Sequence, residues 1–266
     1  MKRWSGLLFV IIIAVFVSID LNSDRLAVVF WQKYRLPQTA ILFDRNNFEL
    51  AMSIGEHYFN GAGGAYNIAL AQKAYEKAVS INPEILWGHY QLARIYFVKG
   101  DFARAFEEIN KELEYNPENL RSLYIRGLIY GYRNEAGDLE KAEVDFRRFT
   151  EWAPSEWAGY NDLAWILFKE GKYADAETEL GRAFTNVLEA NQNSWLWNAR
   201  GVAELNLKKY FQAAGSFKRA KRLAEKLTVE EWVHSYPGNN PETSRRGLTT
   251  FLEAINENLR RAEGRT

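Results

Sequence analysis

The chain has 266 residues, with 34 Lys and Arg against 34 Asp and Glu, so its formal net charge is zero. That balance excludes strong electrostatic capture of nucleic acid by the chain as a whole, and no nucleic-acid partner is expected. Cysteine is absent, which excludes disulfides, thiolate metal ligands, a cysteine nucleophile and a lipid-bearing cysteine.

Residues 1–3 carry Lys2 and Arg3, and the stretch from Trp4 to Ile19 is uncharged. Read as a helix, residues 4–21 span about 27 Å, close to a hydrocarbon core. The run is apolar all round, which favours lipid over the core of a water-soluble fold. A cleavage site wants small residues at its last and third-last positions. Ending at Ser18 puts Phe16 in the third-last place, and Ala14 has Ile12 there. The segment therefore reads as an uncleaved transmembrane signal-anchor, with a cleaved signal as the alternative. Lys2 and Arg3 keep a cytosolic N-terminus and send the rest across. The expectation is a single-pass protein of a bacterial inner membrane, its bulk on the extracytoplasmic side.

Residues 22–46 read as a linker. Its apolar stretch Leu26–Trp31 is too short to span and either lies in the interface or packs under the C-terminal domain, and Pro37 predicts a bend.

Three later segments align: AYEKAVSINP (74–83), EINKELEYNP (108–117) and DFRRFTEWAP (145–154). Their closing prolines Pro83, Pro117 and Pro154 are 34 and 37 residues apart. Small residues recur at Gly55, Ala93, Gly127, Ala164 and Gly201, with rings such as Tyr75, Phe146 and Phe217 further on. The chain resembles the tetratricopeptide repeat family in this period and pattern. The resemblance implies an all-α, right-handed superhelical solenoid of about five helix pairs, and the N-terminal run adds one transmembrane helix before it. The array covers 47–225, in units of about 47–83, 86–119, 120–156, 157–190 and 194–227. GAGGAYNI and YRNEAGD are insertions at turns, and Glu204 stands where the family has an aromatic. Residues 228–266 read as a turn-rich loop, WVHSYPGNNP (232–241), and a capping helix. Leu248, Phe251, Leu252, Ile255 and Leu259 share one stripe of that helix, and Asn240 before Pro241 and Glu242 marks a candidate start.

No reaction centre is legible. His57, His89 and His234 show no paired spacing, and phosphate-loop and serine-hydrolase motifs are missing. LPQTA (36–40) is a poor match to a sorting motif, and Glu107–Glu108 and Glu230–Glu231 read as solvated helix faces. No enzyme activity, cofactor or metal is expected.

The resemblance implies instead a partner-binding concave surface lined by the first helix of each unit. Carried onto this chain, its candidate residues are Trp87, Tyr90, Arg94, Phe97, Tyr124, Tyr132, Asn161, Trp165, Phe168, Trp195 and Asn198. Asn161 and Asn198 alone match the family's carboxylate clamp, so a chaperone tail fits poorly. An extended peptide, an apolar helix or a glycan stacked on rings fits better. The expected function is a membrane-tethered scaffold that binds a protein or peptide in envelope complex assembly. Alternatives are a pilus, secretion or cell-wall assembly factor, a glycan-binding module, and a regulatory subunit of an enzyme.

Overall fold

The computed structural model describes residues 22–61, 64–235 and 246–265. The proposed membrane span at 4–21 and the candidate helix start at Asn240–Glu242 lie outside them. Among the described residues all regular structure is helical. No described helix is long and apolar enough to cross a membrane. The chain divides into two compact units, 1–95 and 96–266.

In the first unit, α1 (Ser23–Gln32) and α2 (Pro37–Phe43) form a helical hairpin in the stretch read as a linker. Pro37 occupies the first turn of α2, where its missing N–H costs nothing. Phe30 of α1 packs on Phe43 of α2 at 5.2 Å between ring centroids. The next pair is α3 (Phe48–Asn60) and α4 (Ile68–Ile81), each helix capped by an asparagine. Asn47 Oδ1 accepts from Leu50 N, and Asn67 Oδ1 accepts from Leu70 N. The glycine-rich insertion between them begins with Gly61 in the left-handed region, which ends α3 without steric cost. Helix α5 (Gly88–Val98) carries the boundary between the units.

The second unit holds α6 (Phe102–Tyr115), α7 (Arg121–Arg133), α8 (Asp138–Trp152), α9 (Trp157–Lys169) and α10 (Tyr173–Asn186). It continues with α11 (Ser194–Asn206), α12 (Tyr210–Ala224), α13 (Val229–His234) and α14 (Gly247–Glu263). Helices pair as α7–α8, α9–α10 and α11–α12, and first helices also meet across repeats, α7 on α9 and α9 on α11. The glycine rule of the sequence has a direct geometric cause. A Cβ added at Gly55, Gly127 or Gly201 would stand 2.4, 2.9 or 2.7 Å from Tyr75, Phe146 or Phe217. Those three rings are fully buried, so the second helix of each pair is held at a spacing that admits no side chain on the first.

The YRNEAGD insertion is absorbed by a cap. Asn134 ends α7 in the left-handed region, and Gly137 precedes α8 in the same region. The buried Asp138 carboxylate accepts two bonds from Arg133, at 2.8 and 2.9 Å, and one from the backbone N–H of Glu135. Glu204 is also accounted for. It is buried, and it accepts from Arg200 Nε at 2.9 Å and from Ser216 Oγ at 2.6 Å, so a polar bridge ties α11 to α12 where the family has a ring.

The array ends on α14. Its Ile255 and Ala262 join Ala213, Phe217, Ala220 and Ala224 of α12 in one apolar cluster, with Phe251, Leu252 and Leu259 packed around it. The stretch before it is less loop-like than its sequence implies. Residues 229–234 are helical because Thr228 and Glu231 make a capping box, each receiving the other's backbone N–H. Glu231 thus serves this cap, beyond the solvated face read for Glu230–Glu231.

Gly127→Ala should cost about 1–3 kcal/mol by overpacking against Phe146, read as a lower urea midpoint at unchanged slope. The Arg133 guanidinium holds the Asp138 carboxyl below its ordinary range, burial opposing. Its stabilisation is therefore complete above the unfolded carboxylate value, about 3.9, and falls away as pH drops through the depressed folded value. Asp138→Asn should flatten that acid limb of a stability–pH curve and lower the plateau above it. A curve superimposable on that of the parent chain would refute this role.

Candidate partner-binding face

The candidate residues fall on both units. In the first, Trp87 sits at the turn before α5 with φ of 74°, an unusual value for a bulky side chain. Its ring meets Tyr90 edge-on at 5.0 Å. Arg94 lies over Phe59 at 4.5 Å and over Tyr90 at 5.7 Å, and donates to Gln91 Oε1 at 2.8 Å. Tyr90 is buried, so it serves packing rather than the surface.

In the second unit, one connected set of rings crosses the first helices. Phe97 meets Tyr132 edge-on at 5.3 Å, Phe102 stacks on Tyr132 at 6.1 Å, and Tyr132 meets Trp165 at 5.0 Å. Lys169, one turn beyond Trp165, lies over its ring at 4.7 Å and donates to the Gly131 carbonyl at 2.7 Å. This close approach needs Gly131, where a Cβ would stand 2.5 Å from Trp165. Although ringed by three aromatics, Tyr132 remains 56% exposed. Phe168 is half-buried and stacks on Tyr173 at 6.0 Å.

Beside this set, the Tyr124 hydroxyl donates to Asp162 Oδ2 at 2.7 Å, and Asn161 Nδ2 donates to Asp162 Oδ1 at 3.0 Å. Tyr124 is buried against Phe146 and Phe149, so it too belongs to the packing. Trp195 belongs to the array's closure as much as to a surface. It pairs with Trp157 at 5.1 Å and stacks on Trp232 of α13 and Phe251 of α14 at 5.3 and 5.8 Å. Asn198, on the next turn of α11, has a buried Oδ1 with no hydrogen-bond partner among the described residues.

Sequence reasoning missed Phe102, Trp157 and Lys169. Lys169 was within reach, since it stands at helical spacing from Trp165. Phe102 opens a second helix, and only the tertiary fold brings it to Tyr132.

Among the described residues no group of His, Asp and Glu could hold a metal ion. His57 packs on Trp31 and Tyr58, and His89 is buried. The charged side chains form structural ladders. Arg126 grips Asp145 through two bonds, at 2.7 and 2.8 Å. Arg147 bridges Glu143 and Glu179, and Lys172 bridges Glu143 and Glu170. Burial pushes the Glu170 carboxyl up, with Lys172 opposing. An open crevice of about 220 Å³ lies nearby, lined by Gly171, Lys172, Tyr173, Ala174, Asp175 and Leu207.

Residues 134–186 match the tetratricopeptide repeat family model. The chain is 28% identical to the BBSome complex member BBS4 of Bos taurus over 58% of its length, and spans 28% of that protein. Its fold is similar to a tetratricopeptide repeat protein of Parabacteroides merdae, with a TM-score of 0.55 at 18% identity over 92% of this chain and 84% of the other. It is also similar to PilW, a type IV pilus biogenesis factor, with a TM-score of 0.59 at 14% identity over 81% of this chain and 91% of the other. The described residues thus form an all-helical, tetratricopeptide-like solenoid.

The geometry separates surface rings from packing rings. Trp195→Ala should cost about 2–4 kcal/mol, towards the lower end for deleting a large ring. Tyr132→Ala should change stability by less than about 1 kcal/mol. Urea unfolding of the two variants checks both, and equal losses would place Tyr132 in the core.

Proposed function

We propose that this protein is a membrane-tethered scaffold that captures a protein or peptide through the ring-lined first-helix face of its second unit. The observation that carries the reading is Tyr132, 56% exposed at the centre of Phe97, Phe102 and Trp165. Such a set offers large, rigid apolar area at small entropic cost, with Lys169 and Asn161 at its edge to orient a partner's polar groups. An extended peptide or an apolar helix matches its chemistry. The same face offers a glycan flat rings to stack on, which is the second reading.

The tether rests on the uncharged run from Trp4 to Ile19, and its direction on Lys2 and Arg3. With that placement the scaffold works on the extracytoplasmic side of a bacterial inner membrane. The fold likeness to PilW supports, within that setting, a role in assembling an envelope machine such as a pilus.

A photo-crosslinking side chain placed in cells at Phe168, beside the ring set, should capture one dominant protein, identified by mass spectrometry. Tyr132→Ala and Trp165→Ala should reduce that capture severalfold, and a crosslinker at Phe211, exposed on α12, should not make it. Undiminished capture by both variants would refute the face. The intact mass of the mature chain tests the tether: loss of about the first eighteen residues would mean that the array is released.

A further inference from the structure

The hairpin α1–α2 displays what the interior of the first unit does not use. Of the large apolar side chains exposed among the described residues, Val29, Tyr34, Leu36 and Leu42 fall within this short stretch. At its tip the residues Lys33, Tyr34, Arg35 and Leu36 are exposed one after another, two cations alternating with two apolar side chains. Arg35 takes a left-handed φ of 53° there. Lys33 lies over the Tyr34 ring at 5.5 Å and Arg35 over Trp31 at 5.9 Å, so both stems run along apolar surface. Arg25 is exposed on α1 as well. The acids of the same stretch are buried or already engaged. Asp44 is buried, and Asp24 Oδ1 accepts from the backbone N–H groups of Arg45 and Asn46 at 2.6 and 3.2 Å. The outward surface is cationic and apolar together.

We infer that the α1–α2 hairpin is a membrane-surface foot, which lies on an anionic phospholipid surface and holds the first unit against it. This rests on the tether proposed above, because α1 begins at Ser23, four residues after the uncharged run ends at Ile19. Alternating Lys or Arg with Tyr and Leu suits the headgroup boundary, where rings and aliphatic chains reach the acyl edge and cations meet lipid phosphate. The hairpin is also fastened to the repeat behind it. Lys77 Nζ of α4 donates to the carbonyls of Ile41, at 2.8 Å, and Asp44. Trp31 meets His57 of α3 edge-on at 5.3 Å. A foot held in this way fixes the orientation of α3 and α4 to the bilayer, where a flexible linker would leave it free.

The absence of native cysteine makes the test direct. Single variants Leu36→Cys, Ile12→Cys and Leu188→Cys of the full chain carry an environment-sensitive fluorophore, in vesicles of phosphatidylcholine with or without phosphatidylglycerol. Leu188 is 88% exposed and serves as the solvent reference. A spin label on the lipid headgroup should quench position 36 at least about twofold more than position 188. That excess should require phosphatidylglycerol, and should vanish in high salt or when Lys33→Glu and Arg35→Glu are combined. Quenching of a deep acyl spin label at position 12, with position 36 no different from 188, overturns the foot and leaves the tether intact. No quenching at position 12 overturns the tether, and the foot with it. Shielding of position 36 in lipid-free detergent as strong as in vesicles would mean that protein, not lipid, covers the hairpin, and would also overturn the foot.

Discussion

The solenoid depends on one close approach made three times: a glycine on the first helix of a pair against a ring on the second. Gly55 faces Tyr75, Gly127 faces Phe146 and Gly201 faces Phe217, each at a distance that excludes a Cβ. The rings then fill the layer beneath and are fully buried. A helical pair spaced in this way cannot bury both of its faces alone, so its stability comes from its neighbours. The last pair shows the consequence. Its outer face is covered by α14, whose Ile255 and Ala262 complete the cluster around Phe217.

Where the repeats depart from their shared pattern, hydrogen-bonded charge takes the place of apolar fit. Glu204 stands in a ring position and is held by Arg200 and Ser216. Asp138 closes an insertion by gripping Arg133 and the Glu135 backbone. Arg126 and Asp145 pair beside Gly127. Each is a buried or half-buried carboxylate with its bonds filled, the condition under which charge is tolerated inside a fold. These substitutions let turns and layers vary while the spacing of paired helices stays constant.

The abundance of aromatics thus serves two ends. Tyr75, Phe146 and Phe217 set helix spacing, and Trp157, Trp195, Trp232 and Phe251 close the C-terminal end. Tyr132, exposed, with half-buried Phe97, Phe102 and Trp165 around it, makes the face proposed for a partner. Within a repeat the two classes are hard to tell apart by type, since Tyr124 and Tyr132 lie on the same helix. Tyr124 points to Asp162 and is buried, whereas Tyr132, two turns on, is exposed.

The helical pairs, their period, the small residues at the close approaches and the stripe of the cap helix are legible in the order of the residues. These are local or nearest-neighbour constraints, written as spacing along one chain. Which rings face outward, how Glu204 is bridged, and the hairpin of residues 23–43 fastened by Lys77 emerge in the folded chain alone. Those outcomes depend on side chains brought together from distant positions, Phe102 on Tyr132, Ser216 on Glu204 and Lys77 on Ile41. The exposure of a ring is set by what arrives next to it, and a period along the chain carries no record of that.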